Sequence, residues 1–123
     1  MDLRIKRAYE APTPDDGVRV LVDALWPRGA SRAQLALDDW ARDLAPSAEL
    51  RRWFGHDPSR FQEFRARYRR ELISRDGPLE RLRRRAAAGT LTLVYAARDR
   101  EHNNAQVLAE VLREMPAPAD ERL

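Results

Sequence analysis

Asp23 opens a seven-residue stretch, Asp23-Ala24-Leu25-Trp26-Pro27-Arg28-Gly29, in which three side chains could do chemistry. A carboxylate in a crevice can act as a general base, and Arg28 can clamp an anion through its forked donors. Trp26, between them, offers a flat wall on which a base or other planar ligand can stack. A second polar stretch is Arg98-Asp99-Arg100-Glu101-His102-Asn103-Asn104. There Asp99 is a further acid–base group and Arg98 a further cation, while His102 and Asn103 could orient a ligand. His56 adds an imidazole able to exchange a proton near neutral pH. Together these residues suit a small anionic or nucleotide-like ligand, held or turned over by cofactor-free hydrolysis or group transfer.

Each feature also has a structural explanation, under which the chain is a non-catalytic partner protein whose polar loops only tie strands to helices. Asp23 and Arg28 can pair with each other, and a tryptophan is often core with its N–H satisfied. His56 and Asp57 can cap a helix, His102 can bond to backbone, and Asn103 and Asn104 are natural N-caps. Arg81, Arg83, Arg84 and Arg85 form a basic run that suits a solvated helix end; the alternative is a nucleic-acid contact face. No Gly-x-Gly-x-x-Gly, Walker or Gly-x-Ser-x-Gly motif occurs, which disfavours dinucleotide, triphosphate and serine-hydrolase chemistry. With two histidines, no adjacent-turn His spacing and no cysteine, neither a metal nor another cofactor is expected.

The elements that must position these groups follow from periodicity. Leu3 and Ile5 alternate with Arg4 and Lys6 as a strand with one wet face. Residues 11–17, with two prolines and Gly17, form a loop. Val18–Val22 and Leu91–Tyr95 are β-branched or apolar and read as buried strands. Residues 37–44 fit a helix or a strand equally well. A short helix over 48–54 has Ser47 as cap and Gly55 as stop. Asp57-Pro58 starts another, whose apolar stripe is Phe61, Phe64, Tyr68 and Leu72. Glu63 with Arg67, and Glu71 with Arg75, are spaced as i,i+4 ion pairs. Asp76-Gly77-Pro78 begins a helix that ends at Gly89, and a last helix starts near Asn103 or Asn104.

Buried strands separated by helices predict a small α/β layered domain, Rossmann-like, with a mostly parallel sheet and flanking helices. Ligands of such sheets bind outside the strands' carboxyl ends, where both polar stretches fall. The 123 residues fit one domain over 1–115, followed by a flexible tail over 116–123. Hydrophobic residues at 43% exclude a disordered chain, and no apolar run could span a membrane. The charged N-terminus and the absence of cysteine suit a cytoplasmic protein. Lys6 is the only lysine among 23 basic residues, an arginine excess that a GC-rich genome explains without a polyanionic partner.

The same stretches carry a resemblance. Arg19–Gly29 with its Leu-Trp-Pro-Arg-Gly, Leu44-Ala45-Pro46-Ser47, Trp53–Pro58, Phe64–Tyr68 and Tyr95–Ala105 with its Glu-His-Asn-Asn-Ala are similar to the YeaO-like proteins, a bacterial domain of unknown function. The likeness covers about residues 2–115. It implies an α/β fold and a cytoplasmic protein, and supplies no activity. Ala24 departs from the family pattern, which often carries arginine there, so no charge comes from that side chain.

Overall fold

Four strands lie parallel in one sheet, ordered β1-β4-β2-β3, in a computed structural model that describes residues 1–117. They are β1 (Asp2–Arg7), β2 (Val18–Leu21), β3 (Asp39–Trp40) and β4 (Thr90–Tyr95). The helices are α1 (Arg32–Leu35), α2 (Ala48–Phe54), α3 (Phe61–Leu72), α4 (Asp76–Ala88) and α5 (Asn104–Glu114). This is an α/β fold. The tail expected over 116–123 lies, from residue 118 onward, outside the described residues.

The period of two divides the sheet's side chains. Leu3, Val20, Leu91, Leu93 and Tyr95 join one core with α2, α3, α4 and α5, including Phe54, Phe64, Tyr68 and Leu112. The opposite face is covered differently. Leu21 and Val94 meet Leu35 of α1, together with Ala30 and Leu37, in a smaller cluster. Beside it lies an ionic one. Asp16 is buried and accepts from Lys6 of β1 at 3.1 Å, Arg19 of β2 at 2.7 Å, and both the amide and hydroxyl of Thr13 at 3.0 Å. Arg19 spends its other nitrogens on the carbonyl of Leu35, at 2.9 and 2.7 Å, and so fixes the end of α1.

Local signals account for most helix limits. Ser47 accepts the amide of Leu50, and Gly55 ends α2 in the left-handed region at φ 54°. Asp57 caps a 3-10 turn at Pro58–Arg60 that leads into α3, and Asn103 caps α5 through the amide of Gln106. Residues 37–44 resolve into the two-residue strand β3 and a 3-10 turn at Arg42–Leu44. Pairing of Val20 with Asp39 and Leu21 with Trp40 decides this, a tertiary contact that local periodicity does not contain.

Candidate functional site

Strands β2 and β4 are neighbours, and their continuations part. Residues 24–37 after β2 cover the α1 face, while α5 after β4 packs on the face of the four longer helices. A crevice is left at the carboxyl ends, the usual ligand position in parallel sheets. Here it is a cavity of about 660 Å³. Its wall includes Asp23, Trp26 and Arg28 from beyond β2, and Arg98, Asp99 and Asn103 from beyond β4. His56 and Arg51 close it from the α2 side. His102 does not line it.

Asp23 is tied at both oxygens. One accepts the amide of Ala96 at 2.9 Å, which joins the end of β2 to the end of β4. The other accepts the side-chain amide of Asn104 at 3.1 Å. Asn104 also donates to the carbonyl of Val22 at 3.0 Å, so α5 is moored to β2 through one residue. Burial pushes the Asp23 carboxyl above its ordinary range, against the two N–H donors and the positive charges of His56 and Arg51. No bond joins Asp23 to Arg28. The Asp23 carbonyl instead accepts the indole N–H of Trp40 at 2.6 Å.

The basic side chains of the cavity make no direct ion pair. Arg28, Arg51, Arg98 and His56 make no ion pair and no side-chain hydrogen bond among the described residues. Arg28 and Arg98 are exposed. Arg51 is half-buried, and its Nε is fully buried with no partner. His56 holds a backbone φ of 56°, in the left-handed region that costs a non-glycine residue. Such strain is retained where the surroundings over-determine it.

The stretch after β4 is a capping turn. Asp99 accepts the amides of Glu101 and His102 at 2.9 and 3.0 Å, and these bonds lower its pKa. Its second oxygen meets His102 Nδ1 at 2.9 Å. The imidazole then packs edge-on against Phe61 at 5.1 Å between centroids, away from the cavity. Asn103 is buried with both ends of its amide used, donating to the Asp99 carbonyl and accepting from Gln106.

Trp26 is held at the cavity's edge. Its indole N–H donates to the carbonyl of Ala30 at 2.7 Å, and its ring meets Trp40 edge-to-face at 5.5 Å. Tyr9, Leu25 and Trp26 are 47%, 67% and 36% exposed. They make up three of the five exposed large hydrophobic residues among the described residues, so the exposed apolar surface gathers around the cavity.

A family model described as "Inactive DUF488-N3 subclade", DUF488-N3i, matches residues 2–122. The chain belongs to this family. It is 40% identical over 115 residues to Escherichia coli K12 "Uncharacterized protein YeaO", covering 94% of this chain and all of that protein. It is 43% identical over 110 residues to "Uncharacterized protein Rv3073c" of Mycobacterium tuberculosis H37Rv, covering 89% and 92% of the two chains. "Uncharacterized protein Mb3100c" of Mycobacterium bovis matches at the same identity and coverage. The YeaO-like character of the motifs is thus shown. No solved structure matches the chain significantly.

In this DUF488-N3i domain, two local expectations are corrected. Glu71 does not pair with Arg75. Its carboxylate accepts the amide and hydroxyl of Ser47 at 2.8 and 2.6 Å, and Arg75 donates to the Asp43 carbonyl. The tertiary contact gives Glu71 two donors in place of one solvated ion pair. The basic run of α4 is not a solvated face throughout. Arg83 is buried, Arg85 lies 3.2 Å from Asp39, and Arg81 and Arg84 meet Asp43 and Glu80. One residue of the site has no signal in the sequence: Arg51 is one arginine among many near a helix end. Asn103 and Asn104 are equally good caps and equally able to meet a ligand by sequence; the structure makes Asn103 the cap and turns Asn104, one residue later, toward β2. Among the described residues no acid–histidine cluster is spaced to hold a metal ion, and no helix is long and apolar enough to cross a membrane.

Proposed function

We propose that this DUF488-N3i domain binds a small anionic, nucleotide-like ligand at the ends of β2 and β4, and holds it without turning it over. The observation that carries the reading is the charge of the cavity. Three arginines and a histidine line it without a direct ion pair among the described residues, while the cavity's two carboxylates, Asp23 and Asp99, are engaged by N–H donors. A guanidinium facing a partly desolvated hollow gains most from an anion that brings its own oxygens. Arg51 lines this hollow half-buried, with no carboxylate of the described residues within ion-pair distance of its guanidinium. Trp26, fixed by its bond to Ala30, supplies a pre-ordered ring for a planar group.

Binding is favoured over catalysis by the description of the family as inactive. The carboxylates of Asp23 and Asp99 keep lone pairs, but N–H donors of the fold fix both groups in place, which suits a structural role. The basic face of α4 is a poorer nucleic-acid surface than its sequence suggests, because its arginines are paired or buried. Nucleotides are abundant in the cytoplasm, and we place the protein there.

Thermal shift against nucleoside monophosphates, nucleosides and inorganic phosphate tests the reading. A monophosphate at 100 times its Kd stabilises the fold by about 2.7 kcal/mol. Arg28→Ala and Arg51→Ala each remove most of that gain, and the nucleotide is recovered chemically unchanged. A melting temperature that no member of the panel moves would refute ligand binding; a recovered product would refute the absence of turnover.

A further inference from the structure

A second cavity, of about 600 Å³, shares Trp26 with the first. It is bounded by Arg32, Asp38, Asp39, Trp40 and Arg42 as well as the shared indole. Its two acids are answered from within the fold. Asp38 accepts the amide of Arg19 at 2.8 Å, and Asp39 faces Arg85 at 3.2 Å while accepting the amide of Trp40. Arg32 and Arg42 are exposed and have no acidic partner among the described residues. The Arg42 guanidinium lies 3.6 Å from the centroid of Trp40 and forms a cation–π layer. A guanidinium plane in that position is itself a surface on which a nucleobase stacks. The two cavities that share Trp26 therefore carry similar equipment, arginines without a direct acidic partner beside an aromatic side chain.

We infer that the site continues past Trp26 into this second cavity and takes a ligand of two linked nucleotide units, a dinucleotide or the end of a short single strand. The inference rests on the proposed nucleotide binding in the first cavity and extends it. One unit lies in the first cavity with its phosphate toward Arg28 and Arg51. The other lies beyond Trp26, with its base against the Arg42–Trp40 layer and its phosphate toward Arg32.

Isothermal titration with adenosine 5′-monophosphate and with the 5′-phosphorylated diadenylate pApA separates the two readings. The dinucleotide binds about tenfold tighter than the monophosphate, equivalent to roughly 1.4 kcal/mol. The paired variant Arg32→Ala/Arg42→Ala brings the dinucleotide down to the monophosphate's affinity and leaves the monophosphate unchanged. Equal affinities for the two probes in the wild type overturn the second unit and leave the first cavity's reading intact. Loss of monophosphate affinity in a folded paired variant also overturns it, because the two cavities are then not separate subsites. If neither probe binds, both readings fall. The wild-type comparison needs no variant, so a poorly folding one does not shield the inference.

Discussion

His56 pays for its place. A side chain at φ 56° suffers a clash that glycine avoids, and the ring gains no hydrogen bond among the described residues to compensate. Its contacts are a tilted ring pair with Phe54 at 6.2 Å and its electrostatic effect on Asp23. The expected outcome is a split between stability and binding. His56→Gly is more stable than His56→Ala by about 1 kcal/mol, because only alanine retains the Cβ that the left-handed backbone penalises. Both variants lose the ring, so both show a smaller thermal shift with nucleoside monophosphate than the wild type. Urea unfolding of the two variants, with and without nucleotide, checks both halves. If alanine proves as stable as glycine, the backbone carries no strain at this position.

Gly17 shows how a single backbone position sets the register of the central strands. It stands immediately before β2 at φ 61°, and a Cβ there would lie 2.3 Å from the Thr90 carbonyl oxygen at the start of β4. The nearest atoms are the Thr90 carbonyl and its Cβ, which are fixed by the backbone and cannot rotate away. Gly17→Ala therefore costs roughly 1–3 kcal/mol from overpacking, with about 1 kcal/mol more for the left-handed φ. A fall in the urea midpoint without a change in slope would show that the fold survives at lower stability. Elements whose limits are written in local chemistry were legible: Ser47 and Gly55 bracket α2, and Asn103 begins α5. Elements decided by distant partners were not. The sequence of β3 allows helix or strand until Val20 and Leu21 are beside it. Glu71 chose Ser47 over Arg75 for a reason 24 residues away. The convergence of the two polar stretches followed from the order of strands and helices, whereas Arg51 was one arginine among many and only packing turns it into the cavity wall.

The domain joins its layers by two unlike means, and this makes its stability depend on acidity. Beneath the four longer helices the sheet is sealed by aliphatic and aromatic packing, which pH does not alter. On the other face, Asp16 collects Lys6 from β1, Arg19 from β2 and the Thr13 turn, and its carbonyl accepts the hydroxyl of Thr92 from β4 at 2.7 Å. Burial alone would raise the Asp16 carboxyl. The hydrogen bonds from Thr13, Lys6 and Arg19 outweigh it and bring the pKa down to about 2. An aspartate in the unfolded chain titrates near 3.9. A carboxyl depressed on folding contributes its stability fully above the unfolded value, and loses it as pH falls toward the folded one. The contribution is roughly 2–3 kcal/mol at neutral pH, fading between about pH 4 and pH 2. Other carboxylates also titrate in that window, so the comparison that isolates Asp16 is with Asp16→Asn. Urea unfolding at pH 7 should find the wild type more stable than the variant by about that amount, since the interactions with Lys6 and Arg19 that Asn forfeits are among those that depress the pKa. As the pH drops through 4 toward 2, the two curves should approach each other. A gap that stays constant across this range would mean that Asp16 holds the sheet through hydrogen bonds alone, with its charge contributing nothing.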